Sequence, residues 1–373
     1  MLIVADENMP GLASLEGVAE VRRLPGRTMT SEMVRDADAL LVRSVTRVDE
    51  ALLAGSRVRF VGSATIGTDH VDMPWLSKQK ISFAHAPGCN AQAVAEYVLQ
   101  ASLRWAVEAG KSLKALTIGV VGVGNVGSRV AALFGALGCT VVRCDPPRQD
   151  AADEVASVAW RSLNDALSCD VISLHVPLLE EGPYATRHML NTDRLGALTS
   201  EQLLLNTCRG PVIDNHALIS RLAYADAPTV VLDVWESEPV VPRALFEKVF
   251  VGTPHIAGYS TEGKLRGSKM VLDAFFGWLG LDVNVAEPIA PPSTWPEQVT
   301  TQKELLALLA HRYSMLADHE RLAASLSCTD PTREFDELRR QYPQRHELSG
   351  VTVSEQVDVA WQSLLSQLGV AWR

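Results

Sequence analysis

The stretch TIGVVGVGNVG, residues 117–127, constrains the fold of this chain more than any other. Its apolar start predicts a buried strand, and the apolar periodicity that begins near Val130 predicts a helix directly after it. Between the two, Gly122, Gly124 and Gly127 have the spacing G-x-G-x-x-G. That spacing is a weak signal alone. Between a strand and a helix it is typical of a dinucleotide-binding turn, whose glycines let the backbone approach a pyrophosphate at the helix N-terminus.

An acidic residue follows at the position such a turn requires. The next predicted strand ends in TVVRCD, which places Asp145 23 positions beyond Gly122. A carboxylate there accepts hydrogen bonds from the ribose hydroxyls and repels a 2′-phosphate, so we expect NAD rather than NADP. Arg148, three residues farther on, is the feature that would favour NADP instead.

Short apolar runs, each ending at a polar or glycine-rich corner, recur up to about residue 280. Helical spacing between them predicts parallel sheets covered on both faces. The predicted strands of a first sheet are 2–4, 39–42, 58–62 and 81–84, and those of a second are 117–121, 140–144, 170–174, 202–205, 230–232 and 249–251. A helix is predicted between the two sets, over 90–109. We therefore expect an α/β fold of two doubly wound, Rossmann-like domains flanking a cleft.

The character of the sequence changes after this α/β part. Residues 286–298 are rich in proline and incompatible with a helix. Beyond them, apolar residues repeat at helical spacing in two sets, Leu305, Leu309, Tyr313 and Leu316, then Phe335, Leu338 and Tyr342. We expect a small C-terminal α+β domain whose apolar faces serve association with a second copy.

Composition limits the partners and the kinds of site. At 373 residues the chain is long enough for two or three domains. Its formal net charge is −10 without any block of Lys or Arg, which argues against nucleic acid and membranes as partners. We find no secretion signal and no apolar run that could span a bilayer, so we expect a cytoplasmic protein. The six cysteines form no C-x-x-C pair, and His, Asp and Glu show no ligand spacing, so we expect no metal site.

Three titratable residues follow successive strands of the second predicted sheet: Arg209, Glu238 and His255. Because parallel strands end at one edge of a sheet, we expect these side chains to lie near the glycine loop. Arginine's planar fork suits a carboxylate, and a glutamate beside an imidazole orients the ring. The histidine can then exchange a proton with an alcohol while hydride moves to or from a nicotinamide. One such histidine alone is more often structural, but the set favours catalysis.

These motifs resemble the signatures of the D-isomer-specific 2-hydroxyacid dehydrogenases. The glycine loop, NTCRGPVIDNHAL from Asn206, LDVWESEP from Leu232 and TPHIAG from Thr253 occur in that family's order, over about residues 1–284. The resemblance implies that Arg209, Glu238 and His255 are catalytic. It also implies NAD contacts at Gly122, Gly124, Asn125, Val126, Gly127, Asp145, His175, Pro177, Thr207, Asp233 and Gly258.

The same resemblance implies how the chain is divided. A discontinuous, flavodoxin-like substrate-binding domain is expected over 1–91 and 257–284. An NAD-binding Rossmann domain is expected over 92–256, and a C-terminal dimerisation domain over 285–373, so that the partner is a second copy of the chain.

Several loops depart from the generic family pattern, among them VADENMPG from Val4, VGSATIGTDHVD from Val61 and HIAGYSTEGKLRG from His255. They resemble one branch, which oxidises 4-phospho-D-erythronate to (R)-3-hydroxy-2-oxo-4-phosphooxybutanoate on the way to pyridoxal 5′-phosphate (vitamin B6). The resemblance implies that Ser44, Thr65 and Tyr259 contact this phosphorylated sugar acid. Weaker candidates for its phosphate are Arg43, Lys264 and Arg266, and the roles of Asp6 and Glu7 stay open.

Two alternatives remain at this stage. Another D-2-hydroxyacid dehydrogenase, such as a 3-phosphoglycerate dehydrogenase, would share the catalytic core and differ in the loops 61–72 and 257–267. An NAD-sensing binding protein could use the same fold without catalysis, although the intact set of Arg209, Glu238 and His255 argues against it.

Overall fold

The computed structural model describes residues 1–151 and 158–373. Strands and helices alternate along most of this part of the chain. The strands are β1 (Leu2–Asp6), β2 (Glu20–Leu24), β3 (Ala39–Val42), β4 (Phe60–Ser63), β5 (Ser82–His85), β6 (Thr117–Val121), β7 (Thr140–Cys144), β8 (Val171–Leu174), β9 (Leu203–Asn206), β10 (Thr229–Leu232), β11 (Val251–Gly252), β12 (Ser293–Trp295), β13 (Val351–Val353) and β14 (Ala371–Trp372).

The α-helices range from single turns to 19 residues. They are α1 (Ser31–Val34), α2 (Glu50–Leu53), α3 (Met73–Lys78), α4 (Ala91–Glu108), α5 (Asn125–Ala136), α6 (Pro146–Asp150), α7 (Leu163–Leu167), α8 (Thr192–Gly196), α9 (Asn215–Arg221), α10 (Arg243–Phe246), α11 (Thr261–Leu279), α12 (Gln302–Arg312), α13 (Met315–Ser325), α14 (Pro331–Arg340) and α15 (Val359–Gln367). Within the described ranges, we find no helix with both the length and the apolarity that crossing a membrane requires.

The first sheet has five parallel strands in the order β2-β1-β3-β4-β5. Its central strands β3 and β4 are buried along their whole length, as expected for a sheet covered on both faces. Val42 pairs with Ser63, so these two strands end level with each other. From α11, Val271 and Phe275 pack into the core on one face. The edge strand β2 was not predicted, because its sequence EVRRL is largely exposed and shows no apolar run.

The second sheet has six parallel strands in the order β11-β10-β9-β8-β6-β7. An isolated parallel bridge between Arg143 and Trp160 continues it beyond β7. The chain winds outward in one direction from β6 to β7 and in the other from β8 to β11. Ligands of open α/β sheets bind at such a switch point, and the glycine loop follows β6 here.

A third, small parallel sheet, β12-β13-β14, forms with α12 to α15 near the C-terminus. Apolar side chains of this region, including Leu305 and Trp361, share one core with α4 and α5. Tyr313 was predicted to continue the helical face of Leu305, but α12 ends there in extended backbone.

The described chain forms two compact units. One contains residues 1–90 and 260–289, with the first sheet, and the other contains 91–259 and 290–373, with the second and third sheets. The predicted α/β class, with two parallel sheets and a small additional C-terminal sheet, is confirmed. The finer division into domains at residues 91, 256 and 284 stays a prediction.

Candidate active site

The glycine loop joins β6 to α5 with little space around its backbone. Gly122 has φ of +84°, and a Cβ there would lie 2.7 Å from the backbone of His175. A Cβ on Gly127 would lie 1.9 Å from the carbonyl oxygen of Gly122, so any side chain would push the helix away from the loop. Gly124, the residue before α5, has open space around it. A bare turn at a helix N-terminus suits the pyrophosphate of a dinucleotide.

Asp145 lies at the end of β7, beside the glycine loop. Its carboxylate accepts the Val123 N–H at 2.8 Å and the Arg148 N–H at 3.2 Å, which fixes its orientation and caps α6. The Arg148 guanidinium, which the sequence left as a possible 2′-phosphate ligand, donates to the carbonyl of Val123. Both side chains are thus tied to the loop, and each carboxylate oxygen keeps a second lone pair for a ribose hydroxyl.

Three more of the predicted NAD contacts follow β8 and β9. Desolvation lowers the pKa of His175 to about 3, so its ring is neutral near pH 7 and receives a hydrogen bond from, or donates one to, Ser173 at 2.8 Å. The carbonyl of Pro177 accepts the Thr186 hydroxyl at 2.6 Å. Thr207 is the clearest indication of a ligand, because its Oγ1 is buried and has no hydrogen-bond partner within the described ranges. A buried hydroxyl without a partner is costly, and a bound cofactor would remove that cost.

Arg209 lies three residues beyond β9, in a loop pressed against its neighbour. A Cβ on Gly210 would lie 2.0 Å from the carbonyl of Trp235, so only glycine lets this loop and the loop after β10 touch. The Asn206 amide donates to the Arg209 carbonyl at 3.0 Å, and Arg209 Nη1 donates to the Cys208 carbonyl at 2.7 Å. These contacts hold the arginine loop beside the loop that carries Glu238.

Glu238 and His255 form a direct pair. Glu238 Oε2 lies 2.7 Å from His255 Nδ1, and Glu238 Oε1 accepts the Trp235 N–H at 2.8 Å. Burial acts to raise the pKa of Glu238, but the charge and hydrogen bond of His255, the charge of Arg339 and the Trp235 N–H outweigh it and lower that pKa. The carboxylate is therefore ionised, accepts Nδ1–H from the imidazole, and leaves Nε2 for a substrate.

The loop that carries His255 is held by Asp233. His255 has φ of +57°, a left-handed conformation that is strained for a residue with a Cβ. The buried Asp233 carboxylate accepts the Thr253 hydroxyl at 2.6 Å and the N–H groups of Ile256 and Ala257 at 2.8 and 2.9 Å. Asp233, predicted from sequence as an NAD contact, thus holds the loop that carries His255 through three hydrogen bonds, and Gly258 is the next residue after Ala257.

The predicted substrate contacts occur in both units. Ser44 is exposed just beyond β3, and Thr65 follows β4, where its hydroxyl donates to the Gly67 carbonyl at 2.8 Å and lies 2.7 Å from Ser63 Oγ. Because β3 and β4 end level, both hydroxyl residues lie at one edge of the first sheet. Tyr259 belongs to the other unit, where its ring meets that of Tyr342 edge-on, with centroids 5.5 Å apart.

Sequence reasoning missed several residues that support this site. The buried Tyr97 hydroxyl lies 2.9 Å from Thr253 Oγ1, which in turn donates to Asp233. Arg339 lies over the Tyr259 ring at 5.6 Å. These residues are remote in sequence from the motifs, so no local pattern could have found them.

One cluster has metal-ligand chemistry in the described part of the chain: His188, Asp214 and Glu236. His188 Nε2 lies 2.6 Å from Glu236 Oε1, the separation of a hydrogen bond. Glu236 Oε2 accepts the Asn215 N–H, and Asp214 Oδ1 accepts the Ala217 N–H, while Asp214 Oδ2 lies 3.9 Å from His188 Nδ1. These hydrogen bonds connect the segments that carry His188, Asn215 and Glu236.

Comparison with known sequences matches two families to this chain. The family described as D-isomer specific 2-hydroxyacid dehydrogenase, NAD binding domain, matches residues 89–257, and a domain of unknown function (DUF3410) matches residues 290–369. The erythronate-4-phosphate dehydrogenase of Marinobacter nauticus is 48% identical over 363 residues, covering 95% of this chain and 94% of that protein. The enzyme of the same description from Citrobacter koseri is 44% identical over 376 residues, covering 99% and 98%.

Solved structures show the same fold over about three quarters of the chain. NAD-bound 3-phosphoglycerate dehydrogenase of Entamoeba histolytica has a TM-score of 0.62 at 24% identity, covering 75% of this chain and 95% of that chain. D-Lactate dehydrogenase of Aquifex aeolicus, in complex with NAD and lactic acid, has a TM-score of 0.60 at 23% identity, covering 75% and 96%.

Proposed function

Since the chain belongs to the erythronate-4-phosphate dehydrogenases, within the D-isomer-specific 2-hydroxyacid dehydrogenase family, we propose that Arg209, Glu238 and His255 carry out its reaction. The chain is an NAD-dependent dehydrogenase. It oxidises 4-phospho-D-erythronate to (R)-3-hydroxy-2-oxo-4-phosphooxybutanoate, a step toward pyridoxal 5′-phosphate.

The Glu238–His255 pair is the observation that carries the proposed mechanism. With Nδ1–H donated to Glu238, Nε2 of His255 is the atom that accepts the proton of the substrate 2-hydroxyl. The ionised Glu238 stabilises the imidazolium that results, because opposite charges 2.7 Å apart attract strongly where water is scarce. Bound NAD would supply the hydride acceptor for the carbon that carries the 2-hydroxyl.

Arg209 is the proposed ligand of the substrate carboxylate. Arg209 follows β9, which pairs with β10, and Glu238 follows β10. The planar guanidinium of an arginine binds a carboxylate through two parallel hydrogen bonds. The same positive charge stabilises the 2-oxo group as it forms. A lysine could not reproduce this fork.

We propose that NAD lies against the glycine loop and the loops after β7 to β11. Three features suit a dinucleotide. The backbone around Gly122 and Gly127 leaves no room for a side chain, and the Asp145 carboxylate is held in one orientation. The Thr207 hydroxyl has no partner among the described residues. The further proposed contacts are Gly124, Asn125, Val126, His175, Pro177, Asp233 and Gly258. Ser44, Thr65 and Tyr259 are the proposed substrate contacts.

We further propose a cytoplasmic homodimer that associates through residues 285–373 and does not bind nucleic acid. The acidic net charge of −10 supports the last point, and Val359 on α15, 79% exposed, offers apolar surface for a second copy. Sedimentation velocity of the full chain measures the assembly, and a monomer at micromolar concentration would contradict the dimer.

The test is NADH formation by the full chain with NAD and either 4-phospho-D-erythronate or 3-phospho-D-glycerate. A 2-oxo acid acceptor is included in a parallel reaction, in case NADH is slow to leave. We expect turnover with the erythronate, and we expect His255→Ala to reduce kcat by about 100- to 10,000-fold, the usual contribution of a general base.

NAD affinity, measured by quenching of tryptophan fluorescence, should change little in His255→Ala. The reason is that the imidazole of His255 pairs with Glu238, which is not one of the residues proposed to bind NAD. A parent enzyme that prefers the glycerate would contradict the substrate assignment but keep the mechanism. A variant as active as the parent would remove His255 from the mechanism.

A further inference from the structure

Asp233 holds the corner that carries His255 through backbone N–H groups. It accepts the N–H groups of Ile256 and Ala257, which belong to the first two peptide groups after His255. The carbonyl oxygens of Ile256 and Ala257 belong to the second and third of these peptide groups. Because His255 itself has the strained φ of +57°, the corner keeps its shape only if its neighbours hold it.

A residue from the C-terminal region binds those carbonyls. Arg345 Nη1 donates to the carbonyl oxygens of Ile256 at 3.2 Å and Ala257 at 3.0 Å, and Nη2 donates to the Ala93 carbonyl of α4 at 3.0 Å. Arg345 is only 4% exposed. The peptide group between Ile256 and Ala257 is therefore held at both ends, because Asp233 accepts its N–H and Arg345 donates to its carbonyl. The peptide groups before and after it are each held at one end, by Asp233 and by Arg345 respectively.

The surroundings of Arg345 keep it in place. Its guanidinium carbon lies 3.6 Å from the centroid of the Tyr313 ring, and the acidic side chains of Glu96 and Asp318 act on its charge. Its Nε has no hydrogen-bond partner among the described residues. Burying a cation is expensive, and an apolar side chain of similar volume often stabilises a fold at least as well. A buried arginine here is therefore better explained by the geometry it imposes than by stability.

A second arginine of the same region reaches the same corner. Arg339, near the end of α14, lies over the Tyr259 ring at 5.6 Å and donates a hydrogen bond to that side chain. Its charge also acts on Glu238. The corner from Glu238 to Tyr259 thus has contacts from two C-terminal arginines six positions apart in sequence.

We propose that Arg345 is a positioning residue for His255, through which the C-terminal region holds the catalytic corner in its active geometry. The inference rests on the proposed role of His255. It gives the region matched by the domain of unknown function a part in positioning the proposed catalytic histidine, in addition to any role in association. Arg345 contacts no reacting atom and acts only through the peptide groups of Ile256 and Ala257.

The test is a double-mutant cycle between Arg345 and His255 in the full chain. Arg345→Met should reduce kcat by roughly 10- to 100-fold, the cost of a misplacement of about 1 Å, with KM and NAD affinity changed less than about threefold. In the His255→Ala background the same change should reduce the single-turnover rate by less than about threefold, because the group it positions is gone. Equal losses in both backgrounds, or no loss in either, would overturn the proposal.

Two further variants distinguish a loss of positioning from a loss of folding. Arg345→Lys keeps a buried positive charge beside Glu96 and Asp318 but lacks the planar fork whose two nitrogens reach Ala93 and the corner. We therefore expect a smaller kcat loss, with the parent's circular dichroism. Arg340→Met, at the end of α14 where Arg340 pairs with Glu337, is the matched control and should leave kcat unchanged. An Arg345→Lys variant with the kcat of the parent would contradict the proposal that the guanidinium of Arg345 is required. If His255→Ala alone is fully active, the proposed function fails, which is a distinct result.

Discussion

At the scale of single residues, Thr207 allows the proposed cofactor binding to be tested separately from folding. Its Oγ1 is buried and has no protein partner in the described part of the chain, whereas the Thr253 hydroxyl donates to Asp233. Thr207 follows β9 and Thr253 follows β11 of the same sheet, so two residues of one type differ in what their hydroxyls do.

We expect Thr207→Val to weaken NAD binding about fivefold, since one neutral hydrogen bond contributes about 1 kcal/mol. The free energy of unfolding without NAD should not fall, because no protein hydrogen bond is lost. Titration calorimetry and urea denaturation measure the two quantities. Thr253→Val is the matched control, and it should destabilise the protein by about 1–3 kcal/mol by leaving Asp233 short of a donor. Equal destabilisation by both variants would show that Thr207 is structural.

Asp145 should set the preference for NAD over NADP. Asp145→Ala removes the charge that repels a 2′-phosphate, so the ratio of kcat/KM for NAD to that for NADP should fall at least about tenfold. Steady-state kinetics with both cofactors measures it. Arg148→Ala is the comparison, and it should change the ratio much less because Arg148 already donates to Val123. An unchanged ratio in Asp145→Ala would place the discrimination elsewhere.

Sequence could predict that Glu238 and His255 lie close together, because each follows a strand within a recognisable motif, and the two side chains do form a pair. It could not identify Arg345, whose local sequence QYPQRHELSG carries no pattern that links it to a loop nearly 90 residues earlier. It also could not show that the carboxylate of Asp233 is filled by three donors of its own chain. Such contacts depend on tertiary packing, which neither propensity nor spacing encodes.

At the scale of elements, apolar strands were predictable and irregular ones were not. β6 and β7 begin and end where the sequence predicted, since buried parallel strands read as apolar runs bounded by polar corners. β2 is charged and largely exposed, so it shows no apolar run. β12, β13 and β14 are only two or three residues long, which is too short for such a run. The predicted helix through Tyr313 is divided because Ser314 caps a new helix directly after it.

Two glycines of α5 provide an internal comparison. Gly127→Ala places a Cβ 1.9 Å from the Gly122 carbonyl, so we expect a loss of about 1–3 kcal/mol in unfolding free energy and NAD binding weakened at least about tenfold. Gly135→Ala meets nothing within 4 Å and should stabilise the protein by up to about 1 kcal/mol, with NAD affinity unchanged. Urea denaturation and NAD titration of both variants decide it. A harmless Gly127→Ala would mean that the loop has room to shift.

At the scale of the whole molecule, the C-terminal region shares its core with the NAD-binding sheet. α4, α5, α12 and α15 contribute to one continuous set of buried side chains. A polar contact also joins α4 to the C-terminal region, because the buried Glu96 of α4 accepts the Leu348 N–H at 3.1 Å. Glu96 also accepts the side-chain amide of Gln92, on the same helix, at 3.0 Å. The third domain expected here from the proline-rich segment stays a prediction, and the packing against α4 could not be foreseen because it leaves no local signal in the sequence.

Glu96 makes this shared core sensitive to pH. Burial, followed by the charge of Glu347, raises the pKa of Glu96 from 4.5 to about 8, against the opposing hydrogen bonds and the charge of Arg345. The unfolded chain releases this proton near pH 4.5, whereas the folded chain keeps it up to about pH 8. Between these values unfolding releases a proton. Stability from this group is therefore complete below pH 4.5 and is lost as pH rises, by about 1.4 kcal/mol per pH unit.

Glu96→Gln keeps the shape of the protonated carboxyl and cannot ionise, so the variant should lose this dependence. We expect its melting temperature to match the parent's near pH 5 and to exceed it by a margin that widens toward pH 8 and then stays constant. Thermal unfolding followed by circular dichroism at each pH unit from 5 to 9 measures the margin. Glu108→Gln, an exposed substitution on the same helix, is the control and should follow the parent throughout. Parallel curves for the parent and Glu96→Gln would mean that Glu96 is ionised in the folded chain. In that case the charge of Arg345 would act on an ionised carboxylate in this shared core rather than on a neutral one.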